Sequence, residues 1–301
     1  MIEYQQKIGE LIARIRNQRG LTQKELADKL KTSQSAINRI EAGKQNVTLE
    51  MLARISDVLN KEIISLGSDS VNLRVEGGHK LRGSIDTKVS KNATVGLLCA
   101  ALLNRGTTTL KKVPKIEEVF RLIEVLQSIG VKVTWLDDGD VEIKPPKVLK
   151  LEDIDAKAAR RTRSIIMYLG PLMHRYKEFR IPYAGGCKLG KRTVAPHLYA
   201  LEEFGLSVDT KNNYYHVTVR KKSPKEVTLY EMGETVSENV LMAAAMTEGT
   251  TIIRNISSNY MVQDMCFFLE KLGAKIEGIG TNTLTVHGVK DVEKNITYAP
   301  S

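Results

Sequence analysis

The segment AGGCKLGKR, residues 184–192, gathers the residue types needed for acid or nucleophile chemistry on an anionic compound. Cys187 lies between Gly185-Gly186 and Gly190, with Lys188, Lys191 and Arg192 beside it. Neighbouring cations stabilise a thiolate and lower the thiol pKa, which suits a proton donor or a covalent partner of an electrophile. The flanking glycines would let such a loop open for a ligand and close over it. The bland alternative is an incidental surface thiol. Cys99 in GLLCAALL and Cys266 in DMCFFLEKL lie in apolar helical text, where a free cysteine behaves as a small buried hydrophobe. Three scattered cysteines form neither a disulfide framework nor a CxxC site, so no metal is expected.

The formal charge of +10 is unevenly distributed. Residues 1–66 carry +3, residues 67–149 another +3, residues 150–230 +8, and residues 231–301 −4. The cationic excess therefore centres on the Cys187 loop and points to phosphorylated metabolites more than to nucleic acid. With 5% aromatic residues and one Trp, stacking on single-stranded bases is not the main business of the chain. The longest uncharged apolar stretch, Val95 to Asn104, is far short of the roughly 20 residues that span a bilayer, and the N-terminus lacks the layout of a signal peptide. A cytoplasmic location without a membrane partner is expected.

The elements that must position these residues divide into two groups. Met1 to Leu66 is helical text, whereas from Val71 onward alternating strand text such as VKVTWLDDGDVEIK is interleaved with helices. The expectation is an α+β multi-domain chain, with an all-helical domain at 1–66, a linker at 67–71 and a mixed domain at 72–301. The mixed domain repeats itself. AALLNRGTTTLKKV at Ala100 returns as AAAMTEGTTIIRNI at Ala243, and LQSIGVKV at Leu126 returns as LEKLGAKI at Leu269. Each copy reads helix, glycine turn, strand, helix, glycine turn, strand, a unit that needs neighbours to cover its apolar faces. A degenerate copy lies between them: helices IIMYLGPLM and HLYALEEFG, then strands LSVDT and YHVTV. Its GTT turn is missing, and the Cys187 loop is expected in that place. A repeat that breaks its own pattern for such a loop marks a functional position.

In the helical domain, one amphipathic helix over Ile8 to Asn17 precedes QKELADKL, which Thr22 caps with Glu25 completing a capping box. A turn leads to SQSAINRIEAGK, and Leu26, Ala27, Leu30, Ile37 and Ile40 form the seam between the pair. TQKELA at 22–27, S-x-x-x-I-x-x-I-E-x-G-K at 33–44 and the L-x-x-L-A pattern at 49–59 resemble the Cro-like (XRE-type) helix-turn-helix family. The resemblance implies double-stranded DNA as partner. Gln34, Ser35, Asn38 and Arg39 would face base edges, with Gln23 and Lys44 on the phosphate backbone. A charge of only +3 implies a dimer for tight duplex binding, and solvated polar positions or protein contacts are the other reading.

Lys91-Asn92 after a strand, RTRSIIMYLGPL around Arg163, GGCKLGKRTVAPH at 185–197 and EGTTIIRN at 248–255 together resemble UDP-N-acetylglucosamine 1-carboxyvinyltransferase. This is an enolpyruvyl transferase of the EPSP synthase-like superfamily, and its GGC loop separates it from the sister enzyme of aromatic precursor synthesis. The likeness runs from about Val71 to the end. It implies an inside-out α/β barrel lobe of three βαβαββ-type repeats. It also implies transfer of enolpyruvyl from phosphoenolpyruvate to UDP-N-acetylglucosamine in peptidoglycan synthesis, with phosphate released and no cofactor, phosphoenolpyruvate being a substrate. Lys91, Arg163 and Arg192 would neutralise phosphate and carboxylate groups, and Cys187 would act as acid or covalent partner. Asn92 would contact sugar. His197 would make a conformational or substrate-phosphate contact, or anchor the loop.

The family enzyme has two lobes of three repeats each, whereas this chain supplies three repeats and stops at ITYAPS. The second lobe is thus expected to be largely absent. An incomplete or split form follows, with a separate second lobe as partner and no turnover by the chain alone. Ala195 stands where the family's R-P-V-D-L-H has Asp, and MGETVSEN at 232–239 replaces the K-V-S-V-G-A-T of the nucleotide pocket, which opens the acceptor to a related sugar nucleotide. Two alternatives remain: a transcriptional regulator whose enzyme-derived lobe senses a sugar nucleotide or phosphoenolpyruvate, and a fragment without function.

Overall fold

The computed structural model describes residues 2–59, 78, 80, 82–85, 87, 89–185, 193–220 and 222–301, with only the backbone considered for residues 2–4 and 18. It forms two compact units, Met1–Gly83 and Ser84–Ser301.

The first unit carries α1 (Ile2–Gln18), α2 (Gln23–Leu30), α3 (Gln34–Glu41) and α4 (Leu49–Leu59). α1 begins earlier than its apolar periodicity predicts, because the added turns are rich in Glu and Gln, good helix formers that need no buried face. α2 starts as read: the Glu25 N–H donates to Thr22 Oγ1 at 3.2 Å, and the Thr22 N–H donates to the Glu25 carboxylate at 2.7 Å. Ser33 caps α3 by accepting from the Ala36 N–H at 3.2 Å. Leu26, Ala27, Leu30, Ile37 and Ile40 are buried together with Ile12, Ile15, Leu52, Ile55 and Leu59. A buried ion pair ties α1 to α3. Arg16 Nε and Nη2 donate to Glu41 Oε1 and Oε2 at 2.6 and 2.9 Å, and Arg16 Nη1 donates to the Leu21 carbonyl at 2.7 Å.

The second unit begins with α5 (Lys91–Ala100), followed by β1 (Thr108–Leu110), α6 (Glu117–Ser128), β2 (Lys132–Trp135) and β3 (Val141–Lys144). The middle repeat has α7 (Ala156–Ala159), a 3-10 helix (Ser164–Tyr168), α8 (Leu169–Leu172), β4 (Glu178–Pro182), α9 (Ala195–Glu202), β5 (Leu206–Lys211) and β6 (Tyr214–Val219). The last repeat comprises β7 (Glu226–Thr228), α10 (Glu234–Ala245), β8 (Gly249–Arg254), α11 (Tyr260–Leu272), β9 (Lys275–Glu277) and β10 (Thr283–Gly288), and β11 (Ile296–Tyr298) follows.

Three sheets result, ordered β11-β1-β3-β2, β4-β6-β5 and β7-β8-β10-β9. Only the last repeat contributes the full βαβαββ order from consecutive described residues. In the first, β11 from the end of the chain occupies the place of the opening strand, parallel to β1 with Thr108 opposite Ile296. Two helices are buried all round: residues 93–100 of α5 and 236–245 of α10 are all buried, as VGLLCAA and VLMAAA require, with Thr94, Ser237, Glu238 and Asn239 as buried polar residues. Cys99 and Cys266 lie in this core at 0% and 1% exposure, as their surroundings predict. Burial drives both thiols up, Cys266 to about 12, so neither supplies a thiolate.

One expectation needs correction. The Cys187 loop does not replace the GTT turn. That turn's place is taken by residues 173–177, which lead into β4, and the loop instead joins β4 to α9. The helical and strand text on either side was read correctly; β4, written EFRIP, was missed because it lacks the threonines of its counterparts. The strand expected before Lys91 falls on a stretch that lies largely outside the described residues; Ser90 caps α5, its Oγ accepting from the Ala93 N–H at 3.3 Å, and Lys91 is the first helical residue. Among the described residues no helix is long and apolar enough to cross a membrane.

Candidate functional site

The starts of the helices in the second unit meet at one rim. Lys91 Nζ at the start of α5 donates to Glu118 Oε2 at the start of α6, 2.6 Å away. Glu118 Oε1 accepts from Ser164 Oγ at 2.7 Å and Thr162 Oγ1 at 3.3 Å, which brings in the 3-10 helix behind Arg163. Arg163 Nη2 donates to the Thr193 carbonyl, two residues before α9, at 2.7 Å. His197 Nε2 of α9 lies 3.4 Å from Thr235 Oγ1 of α10. α11 joins through Asn259 Nδ2 to Glu234 Oε1 at 3.3 Å and through the Tyr260 hydroxyl to Ser90 Oγ at 3.1 Å. The end of the chain secures the cap of α5: the Ser90 N–H donates to the Ser301 carbonyl at 2.9 Å, and the Ser301 N–H to Asp264 Oδ2 at 2.9 Å.

This arrangement favours anions for a simple reason. Helix N-termini carry unpaired N–H groups and about half a positive charge each. Several of them at one rim, with the Lys91 ammonium and the Arg163 guanidinium, supply the charge and donors that phosphate or carboxylate would need. Glu117, Glu118 and Glu234 in the first turns offset part of that field.

Cys187 and Arg192 lie outside the described residues, as do Gly186, Lys188, Gly190 and Lys191. Both flanks of that stretch are nevertheless fastened to the Arg163 segment. The Gly185 N–H donates to the Thr162 carbonyl at 3.2 Å, and the Thr193 carbonyl accepts from Arg163. A Cβ on Gly185 would fall 1.4 Å from the Arg160 carbonyl oxygen, so only glycine permits this approach. Lys91 is therefore tied through Glu118 to the hydroxyls that flank Arg163, and Asn92 is exposed on the first turn of α5 next to Lys91.

His197 is a correction to the substrate-phosphate reading. It is 2% exposed and both ring nitrogens face protein groups. Asn239 Nδ2 donates toward His197 Nδ1 at 3.2 Å and to the Ile166 carbonyl at 3.1 Å, while Asn239 Oδ1 accepts from the Gly170 N–H at 2.9 Å. Burial, with the Arg163 charge nearby, lowers His197 to about 3, so it is neutral and serves as an internal anchor. A histidine depressed in this way contributes stability that is lost as pH falls from its ordinary value toward 3.

Sequence reasoning missed Glu118 and Asn239. Asn239 left a signal, the polar pair Glu238-Asn239 interrupting an otherwise apolar helix. Glu118 left none, since its role depends on α5, α6 and the 3-10 helix meeting in space. Glu238, 1% exposed, makes no hydrogen bond to a described residue, and a Cβ on Gly96 would lie 2.7 Å from its Oε1. Burial, with Glu234 and Asp264 adding repulsion, pushes its carboxyl well above the ordinary range. The sign follows: the neutral acid is tolerated below the unfolded-state value, and stability falls as pH rises above it. Glu238→Gln is expected to leave the melting temperature at pH 4 unchanged and raise it at pH 8. A parallel pH dependence in both proteins would refute this assignment.

On the helix-turn-helix unit, Gln34, Ser35, Asn38, Arg39 and Lys44 are exposed, and Gln23 is half-buried. The four α3 residues share one face opposite the buried Ile37 and Ile40. Gln23 Nε2 donates to Glu41 Oε2 at 2.8 Å, and Arg39 Nε donates to Gln45 Oε1 at 3.0 Å.

The fold and rim define a class: a helix-turn-helix unit followed by an α/β unit of the enolpyruvyl transferase fold. The family profile described as EPSP synthase (3-phosphoshikimate 1-carboxyvinyltransferase) matches residues 75–299, and a helix-turn-helix profile matches residues 12–66. The chain belongs to the EPSP synthase family. UDP-N-acetylglucosamine 1-carboxyvinyltransferase of Bradyrhizobium diazoefficiens is 39% identical over 214 residues, covering 71% of this chain and 49% of that one. The protein of the same name from Treponema denticola is 36% identical over 216 residues, covering 72% and 50%. The crystal structure of the enolpyruvyl transferase NikO from Streptomyces tendae shares the fold, with a TM-score of 0.60 at 21% identity, over 75% of this chain and 53% of that one. The chain spans about half the length of the curated relatives it matches.

Proposed function

We propose that the chain is a DNA-binding enolpyruvyl transferase of peptidoglycan precursor synthesis, acting in the cytoplasm on phosphoenolpyruvate and UDP-N-acetylglucosamine or a related sugar nucleotide. The observation that supports this reading is the link of Lys91 through Glu118 to the hydroxyls flanking Arg163 at a rim of helix N-termini, with Gly185 and Thr193, on either side of residues 186–192, fastened to the Arg163 segment. In the reaction, the sugar hydroxyl adds to C2 of phosphoenolpyruvate while C3 takes a proton, and loss of phosphate from C2 with loss of a proton from C3 restores the enol ether. Lys91, Arg163 and Arg192 hold phosphate and carboxylate. Cys187 delivers the proton or holds the substrate covalently, and Asn92 meets the sugar. Because the relatives are about twice as long as the stretch matched here, we propose that turnover also needs the half of the family enzyme that this stretch does not match.

Phosphate release from phosphoenolpyruvate plus the sugar nucleotide tests this. Turnover is expected when a separately expressed second lobe from a relative is added, falling roughly 100- to 10,000-fold in Cys187→Ser. Turnover by the chain alone would remove the need for that partner. No turnover and no phosphoenolpyruvate binding would remove the enzyme reading.

The exposed polar face of α3 favours a second reading, a regulator whose lobe senses the same metabolites. Duplex binding by Gln34, Ser35, Asn38 and Arg39, with Gln23 and Lys44 on phosphates, should weaken steeply with salt. Asn38→Ala should relax sequence preference at one position of a selected duplex, and failure to select any duplex would exclude DNA as partner.

A further inference from the structure

We infer that Glu118 is the positioning residue of the anion site, holding Lys91 and the Arg163 segment in one fixed relation so that a phosphorylated ligand meets both cations already assembled. The inference rests on the anion-binding reading of the rim and goes beyond it by assigning a residue that opposes the ligand's attraction by charge and aids it by geometry.

The two carboxylate oxygens divide the task. Oε2 accepts from Lys91 Nζ at 2.6 Å. Oε1 accepts from Ser164 Oγ at 2.7 Å and Thr162 Oγ1 at 3.3 Å, the hydroxyls on either side of Arg163. The Thr162 hydroxyl is held in turn, since its Oγ1 accepts from the Ser164 N–H at 3.1 Å. The adjacent carboxylate is committed elsewhere: Glu117 pairs with Arg121 and, at 3.9 Å, with Arg161. Consecutive helical residues do not face one another, so α6 directs one glutamate to its own Arg121 and the other to Lys91. Burial alone would raise the Glu118 carboxyl, but the hydrogen bonds from Lys91 and Ser164 outweigh it and hold it below its ordinary value, so it is ionised at neutral pH.

Lys91 Nζ has three donors on a flexible four-carbon stem, and its side chain is 48% exposed. One donor spent on Glu118 fixes the ammonium and leaves two for a ligand. Without Glu118, ordering the stem and setting the Arg163 segment would both fall to the ligand on binding. Charge and geometry therefore predict opposite signs. If Glu118 acted only through its charge, its removal would make the rim more positive and tighten anion binding. If it positions the cations, removal weakens binding.

The test titrates the full 301-residue chain into phosphoenolpyruvate at constant ionic strength and follows line broadening of the phosphorus NMR signal. Relative to the unaltered chain, Glu118→Gln should weaken binding about tenfold, with Glu118→Asp recovering most of the loss. Equal or tighter binding by Glu118→Gln overturns the inference while leaving the anion site standing. Absence of binding by the unaltered chain, or unchanged binding in Lys91→Ala, overturns the anion site itself and the inference with it. Should Glu118→Gln fail to fold, the double variant Thr162→Val, Ser164→Ala removes the hydroxyl donors and keeps the carboxylate. It should bind about threefold more weakly, and unchanged affinity would overturn the inference.

Discussion

Glu41→Ala is expected to unfold the helix-turn-helix unit and leave the melting transition of the second unit unchanged. Arg16 and Glu41 are only 10% and 6% exposed, and without its partner the guanidinium keeps just the Nη1 bonds to Asn17 and the Leu21 carbonyl and little solvent. Stranding one member of a buried pair costs about 3–5 kcal/mol. A unit of this size is worth roughly 3–9 kcal/mol in all by the usual value per residue, so the loss removes most of its stability. Gln23 also loses its acceptor, and with it the link between the start of α2 and the end of α3. The single Trp, Trp135, lies in the second unit, so its fluorescence follows that unit while far-UV dichroism registers the lost helices. The double change Arg16→Met, Glu41→Leu should recover much of the loss, because no buried charge is left unpaired. A single variant that keeps full helicity at 25 °C would show that the pair is not structurally required.

Asn239→Ala is the second large effect, and it falls on the lobe. Asn239 is fully buried and satisfies three groups in different elements: the Gly170 N–H, the Ile166 carbonyl and His197 Nδ1. A buried polar group left without a partner costs about 1–3 kcal/mol. Three such groups with partial relaxation amount to about 3–5 kcal/mol, or a fall in melting temperature of order 10 °C for a unit of this length. The consequence reaches the site, because His197 would lose the contact that fixes its tautomer beneath Arg163. Scanning calorimetry together with Trp135 fluorescence measures the effect. A fall of less than about 2 °C would show that water replaces the amide.

The candidate site was legible in the chain through its likeness to a family. Lys91, Asn92 and Arg163 were singled out by the family resemblance, and in the structure Glu118 links Lys91 to the hydroxyls on either side of Arg163. For His197 the resemblance left a ligand contact and an internal anchor both open, and its burial fits the anchor; sequence spacing cannot tell a histidine facing a cleft from one facing the next helix. Residues 186–192 hold the most distinctive chemistry in the sequence, and its flanks reach the Arg163 segment through the backbone of Gly185 and Thr193. The apparent equivalence of the Cys187 loop and the GTT turn failed because β4 carries none of the threonines that mark β1 and β8. Strand identity there follows from pairing with β6, Glu178 opposite Thr218, which is a long-range relation.

The sequence by itself determined most of the helices and strands, β4 excepted, where the repeats lie, and that Cys99 and Cys266 are buried. Those are consequences of hydrophobic period and local capping, and they need only neighbouring residues. Tertiary structure decided what the polar residues do. Glu118 and Glu117 are adjacent and chemically alike, yet one holds Lys91 and the other Arg121. Strand β11, 188 residues away in sequence, fills the place beside β1. The energy of a polar contact depends on the partner and on the water excluded around it, and neither is set by the residues next in line.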